Sequence, residues 1–451
     1  MDQDKKSAQR QAIIRRCKRS NRTIGILFAL LIVIMALAGI IQKDKDFSEE
    51  ENRVLAQKPA FSIEGLRSKD YMEDLEAYTT DQFVLRDFWV NLKMNCDRLL
   101  GKRVFNNVFL GKDDYLIQNL SEPNAEQVDA NLSMINAFAK SYPDIRVSMM
   151  LVPNAAYIMK DYLPYKGTPP VRDQGKDLDN VKEKLDDAVR FIDTENILRE
   201  HREEGIYYKT DHHWTTLGAK YGFDAACDTL GIAEPVKDYK MLMVTRDFSG
   251  TLSSSSGYQK SKDSIDIYAP EQEVNYLVSD SDNAEKRATV YDQRALDQKD
   301  KYQVFFGGNH AMVDISTDLE SDRNLLIFKD SYANCFVPFL LPYYHKIVMV
   351  DPRYYYDSVK SIITTNAISD ILFLYNTDTF LTDNSIADVL EDQFGDGISR
   401  AADTKGDVSS DNGPEGGNDQ NADENGDSYS YNSYDSYGGY DTYNGYDAYG
   451  Y

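Results

Sequence analysis

The stretch NLLIFKDSYANCFVPFL, residues 324–340, begins as an unbroken apolar run and then breaks into Lys329-Asp330-Ser331. A strand with water on one side alternates apolar and polar residues, whereas one buried on both faces of a parallel sheet is apolar throughout. Runs of the same kind recur at 145–153, 302–308, 345–351 and 368–376. Between them, residues 126–142, 176–191, 215–231 and 332–344 carry apolar side chains at helical spacing. Strand-like and helix-like segments in alternation predict an α/β fold, a sheet with helices on its faces. Ahead of it, 106–118 (NNVFLGKDDYLIQ) alternates as strand, turn and strand around Gly111, and 43–110 reads as a stalk and a first helical layer. In that layer Phe83, Leu85, Phe88, Trp89, Leu92 and Met94 are spaced as on a helix.

Ser331 is placed by this reading at the carboxyl edge of the sheet, where a following helix offers N–H groups and a positive dipole end to an oxyanion. A serine hydroxyl is a weak nucleophile until a neighbouring base, itself oriented by a third group, takes its proton. The segment YYKTDHHWTTLGA, residues 207–219, supplies the candidate base in a chain with five histidines. Asp211 and His213 lie two apart, so in an extended segment both side chains leave on one side and His212 points away. Asp211 then fixes the tautomer of His213, whose other nitrogen faces Ser331. Zinc needs three or four converging ligands, which two adjacent histidines do not provide, so no metal is expected. The acyl-transfer reading requires no cofactor either. Trp214 either packs beside the site or stacks on a pyranose ring.

Residues 23–42, TIGILFALLIVIMALAGIIQ, carry no charge and are long enough to cross a hydrocarbon core of about 30 Å. Residues 1–22 hold eight Lys or Arg against Asp2 and Asp4, which predicts a cytoplasmic arm, an uncleaved single-pass anchor and an extracellular remainder. The net charge of −24 argues against a polyphosphate-binding surface, so nucleic acid is not an expected partner. Three cysteines beyond the span, Cys96, Cys227 and Cys335, form an odd set unlike a disulfide scaffold. Residues 111–402 are the expected catalytic α/β domain. The segment 403–451 has almost no aliphatic residues and is expected to be disordered. Tyrosines recur there at every third position from Tyr431 to Tyr449. They either space a solvated tail or line one edge of a polyproline II helix that touches sugars.

Taken together, YYKTDHHWTTLGA, IFKDSYANCFVPFL, VDPRYY and the upstream SEEENRVLAQKPAFS closely resemble the bacterial DHHW protein family. That family is similar to the alginate O-acetyltransferases of the SGNH-hydrolase-like superfamily. The resemblance implies an open, mainly parallel sheet, an Asp-x-His pair matching Asp211 and His213, and a serine at a strand end matching Ser331. The SGNH motif has glycine where this chain has Lys329. By the same analogy Asn376, at the end of ILFLYN, would supply the oxyanion donor, its other reading being a strand-end cap. Gly308 and Asn309 in FFGGNH are a second candidate pair. Arg353 either binds a carboxylate or carbonyl of the glycan or makes an ion pair. The implied activity is O-acetylation of a secreted or wall polysaccharide, with acetyl groups supplied through a membrane-bound O-acyltransferase partner. A carbohydrate acetyl esterase with the same three residues is the alternative, and a glycan-binding or envelope-assembly protein without activity is a third reading.

Overall fold

In the computed structural model, residues 2–48, 53–167, 171–271, 274–281 and 286–391 are described. The tyrosine-rich segment 403–451 lies outside them. Four helices come first: α1 (Asp2–Ile41), α2 (Ile63–Ser68), α3 (Asp70–Asp81) and α4 (Arg86–Leu99). Within α1, Ile13–Ile41 is long and apolar enough to cross a membrane. A three-stranded antiparallel meander of Val104–Phe105, Val108–Leu110 and Leu116–Gln118 follows, as expected around Gly111.

The central sheet has seven strands: β1 (Arg146–Val152), β2 (Val189–Ile192), β3 (Tyr276–Asp280), β4 (Met312–Thr317), β5 (Asn324–Lys329), β6 (Lys346–Val350) and β7 (Asp370–Asn376). Their order across the sheet is β3-β4-β6-β5-β7-β1-β2. The five strands from β6 to β2 pair in parallel, while β4 is antiparallel to both β6 and β3. The protein is therefore an α/β fold with an open, mainly parallel sheet flanked by helices, including α5 (Ala125–Ser141), α6 (Gln174–Lys184) and α7 (Thr216–Leu230).

Strand β5 shows why its sequence is apolar throughout. Leu325 and Ile327 enter the core on one face, with Trp214 and Tyr332, and Leu326 and Phe328 enter the core on the other, with Phe138 and Phe373. Burying each such side chain contributes roughly 1.5–3 kcal/mol.

Three segments depart from the expectation. Residues 302–308 form no strand: Lys301–Val304 is a 3-10 turn whose Tyr302 N–H is capped by Asp300. Phe306, Gly307 and Gly308 then follow with φ of 65, 85 and 116°, a left-handed path that no strand can take. Residues 332–344 make no α-helix but two 3-10 turns, Ser331–Cys335 and Val337–Leu340, because Pro338 lacks the N–H that a continuous helix needs. The third is 176–191: α6 stops at Lys184, and Asp186 accepts from Ala188 N–H in a turn that leads into β2.

Candidate functional site

Four carboxyl ends of parallel strands meet at one edge of the sheet. Ser331 follows β5, Asp351 follows β6, Asn376 ends β7 and Pro153 follows β1. Opposite them, residues 207–214 fold back on themselves, Tyr207 bridging Trp214 and Tyr208 N–H reaching His213 O at 3.2 Å. The loop is pinned from outside: Asp263 accepts from the N–H groups of Lys209 and Thr210 at 2.9 and 2.8 Å and from the Thr210 hydroxyl at 2.6 Å.

Inside this loop Asp211 is buried, and both of its oxygens are used. Oδ1 accepts from His213 N–H at 3.0 Å and faces His213 Nδ1 at 2.5 Å, while Oδ2 accepts from Thr251 N–H at 2.8 Å. Burial pushes this carboxyl up, but the adjacent imidazoles and the hydrogen bonds outweigh that and hold it below the usual carboxylate range. The close approach needs Gly250, since a Cβ there would lie 2.3 Å from Asp211 Cβ and Oδ2. Nε2 of His213 faces Ser331 Oγ at 2.7 Å. With Nδ1–H donated to Asp211, the Nε2 lone pair meets the serine hydroxyl, so one hydrogen-bonded chain runs from carboxylate to imidazole to hydroxyl.

His212 does not point away, as an extended segment would require. His213 N–H bonds back to Asp211, which curls the chain, and the two imidazoles lie 3.9 Å apart with His212 Nδ1 at 2.8 Å from Thr251 Oγ1. Desolvation, then the His213 charge, pushes His212 down to about 4, so it is neutral at pH 7. Asp211, His212 and His213 bring one ligand atom each within 4.8 Å of one another. Both ring nitrogens of His213 already have partners, and a cation here would have to displace Asp211 or Ser331.

The remaining candidates take positions that their sequence context left open. Trp214 is fully buried, donates to Tyr332 O at 3.0 Å and stacks on Phe336, so it joins the loop to the serine turn and offers no face to a sugar. Asn376 Oδ1 accepts from Asp378 and Thr379 N–H at the start of the short helix Thr377–Thr382, an N-cap contact that uses the side chain's oxygen. Its own N–H goes to Asp330 Oδ2 at 2.9 Å. Asn309 Oδ1 accepts from Lys329 Nζ at 3.0 Å and Asn334 Nδ2 at 3.1 Å, and Gly308 lies in the left-handed turn beside it. Arg353 forms a two-point ion pair with the buried Asp351, at 2.8 and 2.6 Å. Lys329, where the SGNH pattern has glycine, is buried with Nζ 3.5 Å from Asp351, and desolvation pushes its pKa down. The expected dipole end behind Ser331 is also largely occupied: Asp330 takes the N–H groups of Tyr332 and Ala333.

Tyr302 was hidden by its place in a strand-like run. Its ring stacks on His213, with centroids 3.9 Å apart and planes 13° from parallel, and its hydroxyl donates to Ser331 O at 3.1 Å. The only trace of it in the sequence is Asp300, an N-cap residue two positions earlier.

This sheet, with a serine at its carboxyl edge, defines an α/β protein with an open, mainly parallel sheet. The family model described as DHHW protein matches residues 109–350, more than half of the chain, and the chain belongs to that family. A crystal structure of a DHHW family protein from Eubacterium siraeum is 26% identical, with a TM-score of 0.55, and the match covers 64% of this chain and 96% of that one. Bacillus cereus PatB1, in a structure with a sulfonyl adduct, is 18% identical with a TM-score of 0.51, over 62% of this chain and 98% of its own, a likeness of fold. No curated protein matches the sequence.

Proposed function

We propose that this protein is a membrane-anchored, serine-dependent O-acetyltransferase that modifies a cell-surface or secreted polysaccharide. The observation that carries the reading is the continuous chain Asp211–His213–Ser331, with contacts of 2.5 and 2.7 Å at the open edge of the sheet. Ser331 Oγ attacks the acyl carbonyl while its proton passes to His213 Nε2, and Asp211 stabilises the imidazolium. The leaving group takes that proton and an acyl-enzyme ester remains. A sugar hydroxyl then gives its proton to Nε2, attacks the ester carbonyl and restores Ser331 as it departs with the acyl group.

The choice of a sugar hydroxyl over water rests on the family resemblance, and so does an acyl supply through a membrane-bound O-acyltransferase. Anchoring rests on the apolar helix Ile13–Ile41, and the basic arm before it supports a cytoplasmic N-terminus.

The test uses the full chain in detergent with p-nitrophenyl acetate, with and without an oligosaccharide acceptor. Wild type should release p-nitrophenolate and acetylate the oligosaccharide, and Ser331→Ala and His213→Ala should each lose at least about a hundredfold in rate. Unchanged release by Ser331→Ala would end the serine reading. Release with no acetylated sugar would favour the esterase.

A further inference from the structure

Helix α4 carries apolar residues on two opposite faces. Met94 points inward, into a small core with Leu110, Leu116 and Tyr258, while Val90, 37% exposed, lies against Gly257 on the same side. On the other face Leu85, Phe88, Leu92, Cys96 and Leu99 follow one another at spacings of three and four, a single stripe along the helix. That stripe is outside: Leu85, Phe88, Leu92 and Leu99 are 65, 55, 42 and 83% exposed, and Cys96 is exposed with them. Leu85 takes a left-handed φ of 56° at the helix start, a conformation disfavoured for a residue with a Cβ, and holds its side chain in the open.

The place of the stripe says what covers it. The apolar helix α1 ends at Ile41, and four residues later the chain is clamped to the α3–α4 corner. Gln82 takes Lys45 N–H at 2.9 Å through its carbonyl and donates to Lys45 O at 2.9 Å, while Tyr78 donates to Asp44. At the end of the span itself, a Cβ on Gly39 would lie 3.6 Å from Val84 Cγ2. The start of α4 is therefore held at the level where the span leaves the hydrocarbon. Trp89, beside the stripe, is an aromatic type enriched at that level, and Phe88 suits the apolar face of a helix that lies in the interface.

From this continuity we infer that the Leu85–Leu99 face of α4 lies in the bilayer interface beside the anchor, a second membrane contact that fixes the orientation of the protein on the lipid. This rests on the anchor part of the proposed function and on no assumption about its chemistry. A helix lying in the interface buries its apolar face at the boundary of headgroups and acyl chains. With both contacts made, the protein cannot swing freely on its anchor.

The experiment reconstitutes the full chain in phosphatidylcholine vesicles with plain or brominated acyl chains and reads tryptophan emission. The chain has two tryptophans, and Trp214 is fully buried, so quenching reports Trp89. Brominated lipid should remove roughly half of the emission, since one of the two indoles sits at the interface. Trp89→Phe should abolish that loss, and the exposed double substitution Phe88→Ser with Leu92→Ser should reduce it severalfold while the protein still floats with the vesicles. Equal emission in plain and brominated vesicles from floating protein would overturn the inference and leave the anchor intact. Unquenched emission together with a Cys96–Cys96 cross-link would assign the stripe to a second copy instead. Failure to float would remove the anchor and the surface together.

Discussion

At the scale of single residues, the site depends on groups that hold His213 as much as on His213 itself. Asp211 meets Nδ1 along one edge of the ring and Tyr302 covers one face. Asp211→Asn keeps the size of the side chain but favours the wrong tautomer, so its acyl-transfer rate should fall by roughly 10³–10⁴, measured as kcat on an acetyl ester. Tyr302→Leu removes the stacked ring and should lower kcat/KM about tenfold. Tyr302→Phe keeps the ring, loses the hydroxyl's bonds to Ser331 O and the Cys335 thiol, and should stay within about threefold of wild type. If both variants behave alike, the stacking has no positioning role.

Asp300 gives a pH signature at the same scale. Burial, then the charge of Asp211, pushes its carboxyl up to about 6. A raised carboxyl pKa means that the native state favours the protonated form. Its stabilising contribution is full below the ordinary carboxylate value near 3.8 and is lost as pH rises through about 6. Asp300→Asn mimics the protonated state and can still accept from Tyr302 N–H. Discounted for partial solvent access, the gain should be of the order of 1 kcal/mol at pH 8. Thermal melts of the two proteins should differ at pH 8 and coincide near pH 4.

Among the elements, α7 and the serine turn are packed through Trp214. Gly222 on α7 lies under the indole, and a Cβ there would come within 2.6 Å of the ring. Alanine is the better helix former by about 1 kcal/mol, yet overpacking costs roughly 1–3 kcal/mol in a core that cannot move aside. Gly222→Ala should therefore lower the melting temperature, despite its improved helix propensity. Because the indole N–H holds Tyr332 O, the same substitution should also slow the reaction proposed for Ser331.

At the larger scale, the central sheet and α7 are tied together at the opposite, amino-terminal edge of the sheet. Asp370 at the start of β7 is buried and lies 3.2 Å from both Arg146 of β1 and Arg323 just before β5. Both arginines also donate to Leu230 O at the end of α7. Asp370→Ala leaves two partly buried guanidinium groups without their carboxylate. It should cost about 2 kcal/mol, below the range for a fully buried pair because both arginines keep some solvent. Urea denaturation should show a lower midpoint with an unchanged slope, while the hydrogen-bonded chain at the far edge of the sheet remains formed.

Local sequence determined much of this protein. Continuous apolar runs are dictated by burial on both faces, so β1, β5, β6 and β7 were legible, and a charge-free run of membrane length could be read as a span. An Asp two residues before a His, and a Ser where an apolar run ends, were visible as candidates for the same reason. Tertiary structure decided the rest. Residues 302–308 are as apolar as a strand because they are buried, and only the Asp300 cap and three left-handed residues make them a turn that puts Tyr302 on His213. Arg353 and Trp214 could each have faced substrate, but their partners Asp351 and Tyr332 bind them locally or across the fold, and Asn376 caps the following helix through its Oδ1. Spacing along a chain records periodicity and local turns. Which distant group satisfies a buried donor, and which face of a helix such as α4 is left bare, is settled only when the layers pack.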